Sequence, residues 1–249
     1  MSVKAHMHER PLVYAHRGAS GYAPENTIAA FRKAAELGSC GVECDVQMTK
    51  DGSLIICHDE TVDRTTNGKG LIKDLRLEDI RRLDAGSWFG EQFRNEKIPL
   101  FSELLKLVRE TGLRLNVEIK SDIVLYPGIE EKVLAEITDF GLRERVIISS
   151  FNHYSVHKVK QLAPDIKAGI LYMEGLYEPW NYMETVGCEC AHIFYVALKP
   201  EIAKELKTRG LMINVFTVNE PGQVAALAGM GVDIIITNYP DRILEALSR

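Results

Sequence analysis

A (β/α)8 TIM barrel with a small insertion after the second strand is the fold class that the sequence predicts. Three observations carry this. Eight short apolar segments start near residues 12, 41, 113, 145, 166, 191, 211 and 233, and each leads sooner or later into a helical pattern. The 249 residues fit one such barrel, a single domain over 1–249. No G-x-G-x-x-G phosphate loop follows an early strand, as an open doubly wound sheet would be expected to show.

The first strand, 12–15, is apolar and ends in His16-Arg17-Gly18. After a Gly/Ser/Pro-rich loop, Asn26 or Thr27 caps a helix carrying Ile28, Phe31, Ala34 and Leu37 and stopped by Gly38. The next stretch, 41–49, alternates. Val42, Cys44, Val46 and Met48 fall on one side; Glu43, Asp45, Gln47 and Thr49 fall on the other. Asp51-Gly52 closes a tight hairpin, and the return segment 54–59 carries His58 back toward the carboxylates. Residues from about 60 to 99 show no strand–helix repeat and form the insertion, helical in part over 77–83.

Regular alternation follows. Helices are predicted over 101–109, 130–140, 153–162, 180–186, 200–209, 221–230 and 241–247. Strands are predicted over 113–120, 145–151, 166–172, 191–198, 211–218 and 233–237. In the strand 113–120, Arg114, Asn116, Glu118 and Lys120 share one face.

Composition sets outer limits. Apolar residues at 46% supply a large core, and charged residues at 26% an ordinary soluble surface. The net charge of −5, with no long Lys/Arg run, points away from a nucleic-acid partner. Residues 1–10 are polar and lack the apolar core of a secretory signal. No apolar run approaches membrane-spanning length, and no stable membrane association is expected. Five cysteines, an odd count, fit reduced thiols in the cytoplasm. Cys188 and Cys190 have no second pair at zinc spacing.

In this fold the active site lies at the C-terminal ends of the strands. Glu43 and Asp45 are placed late in the second strand, and Glu118 near the end of the neighbouring third, so three carboxylates converge. Left alone they repel one another. An all-oxygen set without His or Cys suits one hard divalent cation, Mg2+ or Ca2+. Arg17 and Lys120 stand beside them, and this combination suits a phosphate anion. His16 and His58 supply a general base and a general acid. Together these groups fit the cleavage of a phosphodiester.

The same residues resemble a known family. His16-Arg17-Gly18, Pro24-Glu25-Asn26-Thr27, Glu43-x-Asp45-Val46-Gln47-x-Thr49-x-Asp51-Gly52, His58-Asp59, Asp63-Arg64-Thr65-Thr66, Glu118-Ile119-Lys120 and Thr217-Val218-Asn219 together look like the glycerophosphodiester phosphodiesterase family, in the family's order from Leu12 onward. The resemblance implies hydrolysis of small glycerophosphodiesters to sn-glycerol 3-phosphate and an alcohol, with a divalent cation. It implies Glu43, Asp45 and Glu118 as metal ligands, His16 and His58 as the acid–base pair, and Arg17 and Lys120 as phosphate contacts. Phe216 departs from the pattern, since the family often has Trp there. Phe keeps the apolar wall and loses an N–H donor. Two rival readings make different demands on the sequence. A lipid-cleaving relative would show an exposed apolar rim or anchor, and neither is clear in the sequence. A non-catalytic barrel would have lost catalytic groups, and all are filled.

Overall fold

The computed structural model describes residues 10–249. The polar segment 1–9, with His6 and His8, lies outside the described residues. Nine strands are present among them: β1 (Leu12–Ala15), β2 (Gly41–Met48), β3 (Leu54–Ile56), β4 (Arg114–Ile119), β5 (Val146–Ser150), β6 (Lys167–Tyr172), β7 (Cys190–Phe194), β8 (Met212–Phe216) and β9 (Ile234–Thr237). Eight of them run parallel in the order β1-β9-β8-β7-β6-β5-β4-β2, and β1 pairs with β2 to close the barrel. The ninth, β3, lies antiparallel on the outer half of β2, as the hairpin reading requires.

The helices are α1 (Ile28–Glu36), α2 (Leu77–Arg82), α3 (Phe101–Thr111), α4 (Ile129–Asp139), α5 (His153–Leu162), α6 (Pro179–Val186), α7 (Pro200–Thr208), α8 (Val224–Gly229) and α9 (Pro240–Ser248). Thr27 caps α1: its hydroxyl accepts from the Ala30 N–H at 3.2 Å and donates to the Pro24 carbonyl at 2.7 Å. Asn26, the other candidate cap, is used elsewhere. Two predicted elements are shorter than their apolar runs. The sixth barrel strand, β7, stops at Phe194 and turns into a 3-10 helix over Tyr195–Ala197. The helix expected over 221–230 opens as a 3-10 turn, Pro221–Gln223, before α8.

Strand register separates the two faces of the barrel wall. Outward side chains such as Val42, Cys44, Val117, Ile148, Ile170 and Val215 pack under the helices, all buried. Inward side chains form a second cluster with Tyr14, Ile147, Cys190, Ile234 and Ile236 at its centre. Burying this apolar area is the main stabilising term, at roughly 25 cal/mol per Å2. Between β3 and α3 the insertion has its own small core of Ile55, Cys57, Val62, Ile72, Ile80, Ala85 and Ile98. It therefore holds its shape over one side of the barrel without contributing a barrel strand.

Candidate active site

The organising element is β2. Its polar face reads Glu43, Asp45, Gln47, and the parallel register sets Asp45 beside Glu118 on β4. Donor oxygens of Glu43, Asp45 and Glu118 all lie within 4.8 Å of one another. The sequence placed Glu43 and Asp45 late in the strand; they are its third and fifth residues of eight. The strand runs on past the barrel to pair with β3 over 46–48, so the barrel mouth is reached before the strand ends.

All three carboxylates are buried. Burial, then repulsion from Asp45 and Glu118, pushes Glu43 well above the ordinary carboxylate range. The same two causes, burial and Asp45, push Glu118 up to about 7, even with Lys120 beside it. Burial would raise Asp45 too, but the Arg17 guanidinium, with His58 and Lys120, holds it below its usual value. One oxygen of Asp45, Oδ1, is buried with no hydrogen-bond partner. Oxygen donors, mutual repulsion and an unpartnered lone pair are what a hard cation would relieve, so these residues fit one.

The loop after β1 is tied to the same point. Arg17 takes a left-handed φ of 55°, an unfavourable setting for a side chain with a Cβ. It is held there because its N–H donates to Glu43 Oε2 at 2.8 Å and its carbonyl accepts from the Asn26 N–H at 2.9 Å. The Arg17 guanidinium pairs with Glu25 at 2.9 Å and Asp45 at 3.3 Å. Asn26, itself at φ 59°, donates its side-chain amide to Asp45 Oδ2 at 2.8 Å. Lys120 lies 3.0 Å from Glu118 Oε1.

The two histidines are anchored differently. His16 Nδ1 lies 2.8 Å from Asn238 Oδ1, and that oxygen also accepts from the Ser20 hydroxyl at 3.0 Å. An acceptor there assigns the proton to Nδ1 and leaves Nε2 as a base. Burial, then the Arg17 charge, lowers His16 to about 4. His58 Nδ1 lies 2.8 Å from Asp59 Oδ1. Arg64 donates to both oxygens of Asp59, at 2.7 and 2.9 Å, and to both oxygens of Glu25, at 2.8 Å each. These bonds hold Asp59 far below the ordinary carboxylate range, with His58 adding to the effect.

The chain matches the model of the glycerophosphoryl diester phosphodiesterase family over residues 16–242. It belongs to that family. A glycerophosphodiester phosphodiesterase of Caldanaerobacter subterraneus subsp. tengcongensis is 48% identical over 240 residues, covering 96% of this chain and 99% of the relative. One from Bacillus altitudinis is 40% identical over 94% of this chain and 96% of the relative. Among solved structures, an Oleispira antarctica phosphodiesterase in complex with the product sn-glycerol-3-phosphate superposes with a TM-score of 0.87 at 32% identity, covering 96% of this chain and 98% of that one. The chain is thus an enzyme of the glycerophosphodiester phosphodiesterase type, on a (β/α)8 barrel.

Phe216, the position that departs from the resemblance, stands at the end of β8 in the barrel mouth. Its ring is edge-on to Phe151 at 6.2 Å and tilted against Phe194 at 6.3 Å. Sequence reasoning left several members of the site without a role. Asp59 and Asn238 lie just past strand ends, so the residue after His58 and the residue after the eighth barrel strand were the available signals. Arg64 sits in a loop, where one charge carries no periodic signal. Phe151 reads as an ordinary core residue until the register places it. His192 is buried inside the barrel beside Asn214, and burial lowers it to about 3.

Proposed function

We propose that this phosphodiesterase hydrolyses glycerophosphodiesters to sn-glycerol 3-phosphate and an alcohol at the Glu43–Asp45–Glu118 cluster. In this reading one divalent cation, Mg2+ or Ca2+, binds there, and His16 and His58 exchange protons with the substrate. The observation that carries it is the convergence of three buried carboxylates with Arg17 and Lys120 in an enzyme of this family. The Oleispira relative's complex with sn-glycerol-3-phosphate supports the product.

Glu43, Asp45 and Glu118 would hold the cation, which would supply charge neutralisation and polarisation to the bound phosphate. Arg17 and Lys120 are held by carboxylates and present their remaining N–H groups to the anion. His16 stays neutral, and its Nε2 takes the proton of the attacking oxygen. His58 carries its Nδ1 proton on Asp59 and delivers the Nε2 proton to the departing alkoxide. Phe216 lines the far wall of the mouth. The insertion over about 60–99 caps the site in a single working unit, with Arg64 as its contact. The five free thiols support a reducing, cytoplasmic setting. No helix among the described residues is long and apolar enough to cross a membrane.

The test is direct. Incubated with glycerophosphocholine and Mg2+ or Ca2+, the protein should release glycerol 3-phosphate, and excess chelator should abolish the release. Full turnover in chelator would remove the carboxylate cluster from the mechanism.

A further inference from the structure

The end of the barrel away from the carboxylates is also hollow. A pocket of about 520 Å3 opens there, among the residues at which the strands begin. In this fold that end serves stability rather than chemistry, so apolar or ion-paired side chains are expected. Arg114, Arg145 and Lys167 line it instead. Arg114 shares the parity of Asn116 and Glu118 on β4, Arg145 that of Ile147 on β5, and Lys167 that of Gly169 on β6. All three therefore fall on the inner side of the wall. The strands β4, β5 and β6 are consecutive in the barrel, and the pairing Leu115↔Val146 sets Arg114 beside Arg145.

Their charges are not cancelled. Two other cations of the lining have carboxylate partners: Arg143 Nε donates to Asp165 at 2.9 Å, and Lys207 pairs with Asp233 at 2.7 Å. Glu144 is the one carboxylate of the lining left over, set against three cations, and none of these four is in an ion pair among the described residues. Lys167 Nζ reaches across β7 to the Met212 sulfur at 3.5 Å, and a thioether is a weak acceptor. Like charges on neighbouring strands repel. A cationic hollow also runs against a chain whose net charge is −5.

The opposite side of the pocket is apolar. Leu12, Met212 and Ile234 stand at the starts of β1, β8 and β9, across the barrel from the three cations, and the buried Tyr14 and Ile147 form the floor. Guanidinium groups match the oxygens of a phosphate, and the facing wall suits a carbon body. The volume is in the range of small-molecule sites. No His or Cys lines the pocket, which suits binding rather than turnover.

We propose that the N-terminal end of the barrel is a binding site for a phosphomonoester with an apolar body, separate from the catalytic mouth. Arg114, Arg145 and Lys167 hold the phosphate, and the body lies on Leu12, Met212 and Ile234. This goes beyond the phosphodiesterase reading and does not depend on it.

Isothermal titration calorimetry of the full chain in excess chelator tests it. The probes are AMP and 1-naphthyl phosphate; the controls are inorganic phosphate and adenosine. At least one probe should bind about tenfold or more tightly than either control, and its affinity should fall as ionic strength rises. Arg145→Ser and Lys167→Met, both at exposed positions, should each weaken that probe about tenfold or more with the melting temperature unchanged. Lys120→Met, in the catalytic mouth, should leave its affinity as it is. No binding of either probe, or binding no tighter than that of the controls, would overturn the proposal. So would binding that both Arg145→Ser and Lys167→Met leave intact, and its loss in Lys120→Met would place the anion in the catalytic mouth instead.

Discussion

His16 and His58 hold their Nδ1 atoms on different partners, an amide oxygen and a carboxylate, and in the proposed mechanism this difference divides the proton transfers between them. Replacing either by Ala should lower kcat by about 10² to 10⁴, while cation affinity, set by the carboxylates, stays near wild type. The double variant should lose less than the product of the single losses, because groups acting on one transition state are not additive. Steady-state kinetics beside a cation titration checks both statements. Near wild-type turnover in both single variants would strip the histidines of their role. The acid limb belonging to His16 should fall near its lowered value of about 4, not near 6.5. At this scale the sequence was informative: the alternation of Glu43 and Asp45, and the His-Arg-Gly and His-Asp pairs, were legible as chemistry. Their partners were not, because Asn26, Arg64 and Asn238 acquire roles only when distant segments meet.

The β2–β3 hairpin carries Glu43 and Asp45, two of the carboxylates proposed to hold the cation, on one arm and leads directly into His58, so its position governs both. Gln47 secures the far end: its side-chain amide donates to the carbonyls of Cys57 and Asp59 at 2.8 and 2.6 Å, and its Oε1 accepts from Tyr126 at 2.9 Å. Arg64, on the insertion, then bridges Asp59 to Glu25, and Glu25 holds Arg17. One guanidinium thus couples the loop of His58, the proposed general acid, to the loop of Arg17, the proposed phosphate contact. Arg64→Ala should lower kcat by about tenfold to a hundredfold through misplacement alone, with little change in melting temperature because the side chain is half exposed. Arg64→Lys should not restore the rate, since an ammonium cannot satisfy two bidentate carboxylates. Restoration by Lys would show that charge alone matters. The hairpin was readable because a period of two over eight residues is a strong signal. The insertion's fold was not, because its core is gathered from residues scattered between Ile55 and Ile98.

The molecule as a whole buries carboxylates and histidines inside one barrel, and this burial has a consequence for its stability. The eight strand–helix units were legible from periodicity, whereas the partners of each inward side chain were not, because they depend on the register between strands. Without a cation, the folded protein keeps protons on Glu43 and Glu118 that the unfolded chain would lose. A carboxylate raised in this way contributes stability that is complete below its unfolded value of about 4.5 and is lost as pH rises through its folded value, about 7 for Glu118. His16 and His192 act oppositely. Lowered to about 4 and about 3, they contribute stability above 6.5 that is lost as pH falls through those values. Above pH 6.5 only the carboxylate effect remains, so the cation-free protein should lose stability between pH 6.5 and 8. A bound cation replaces the protons, and its binding should release on the order of one proton at pH 6. The rise in melting temperature on adding Mg2+ or Ca2+ should therefore grow from pH 5.5 to 8, and Glu118→Gln should remove most of that growth while the barrel still folds. Thermal melts with and without cation across this range decide it, and a melting-temperature shift that stays constant with pH would mean that the carboxylates are not the groups that the cation displaces from their protons.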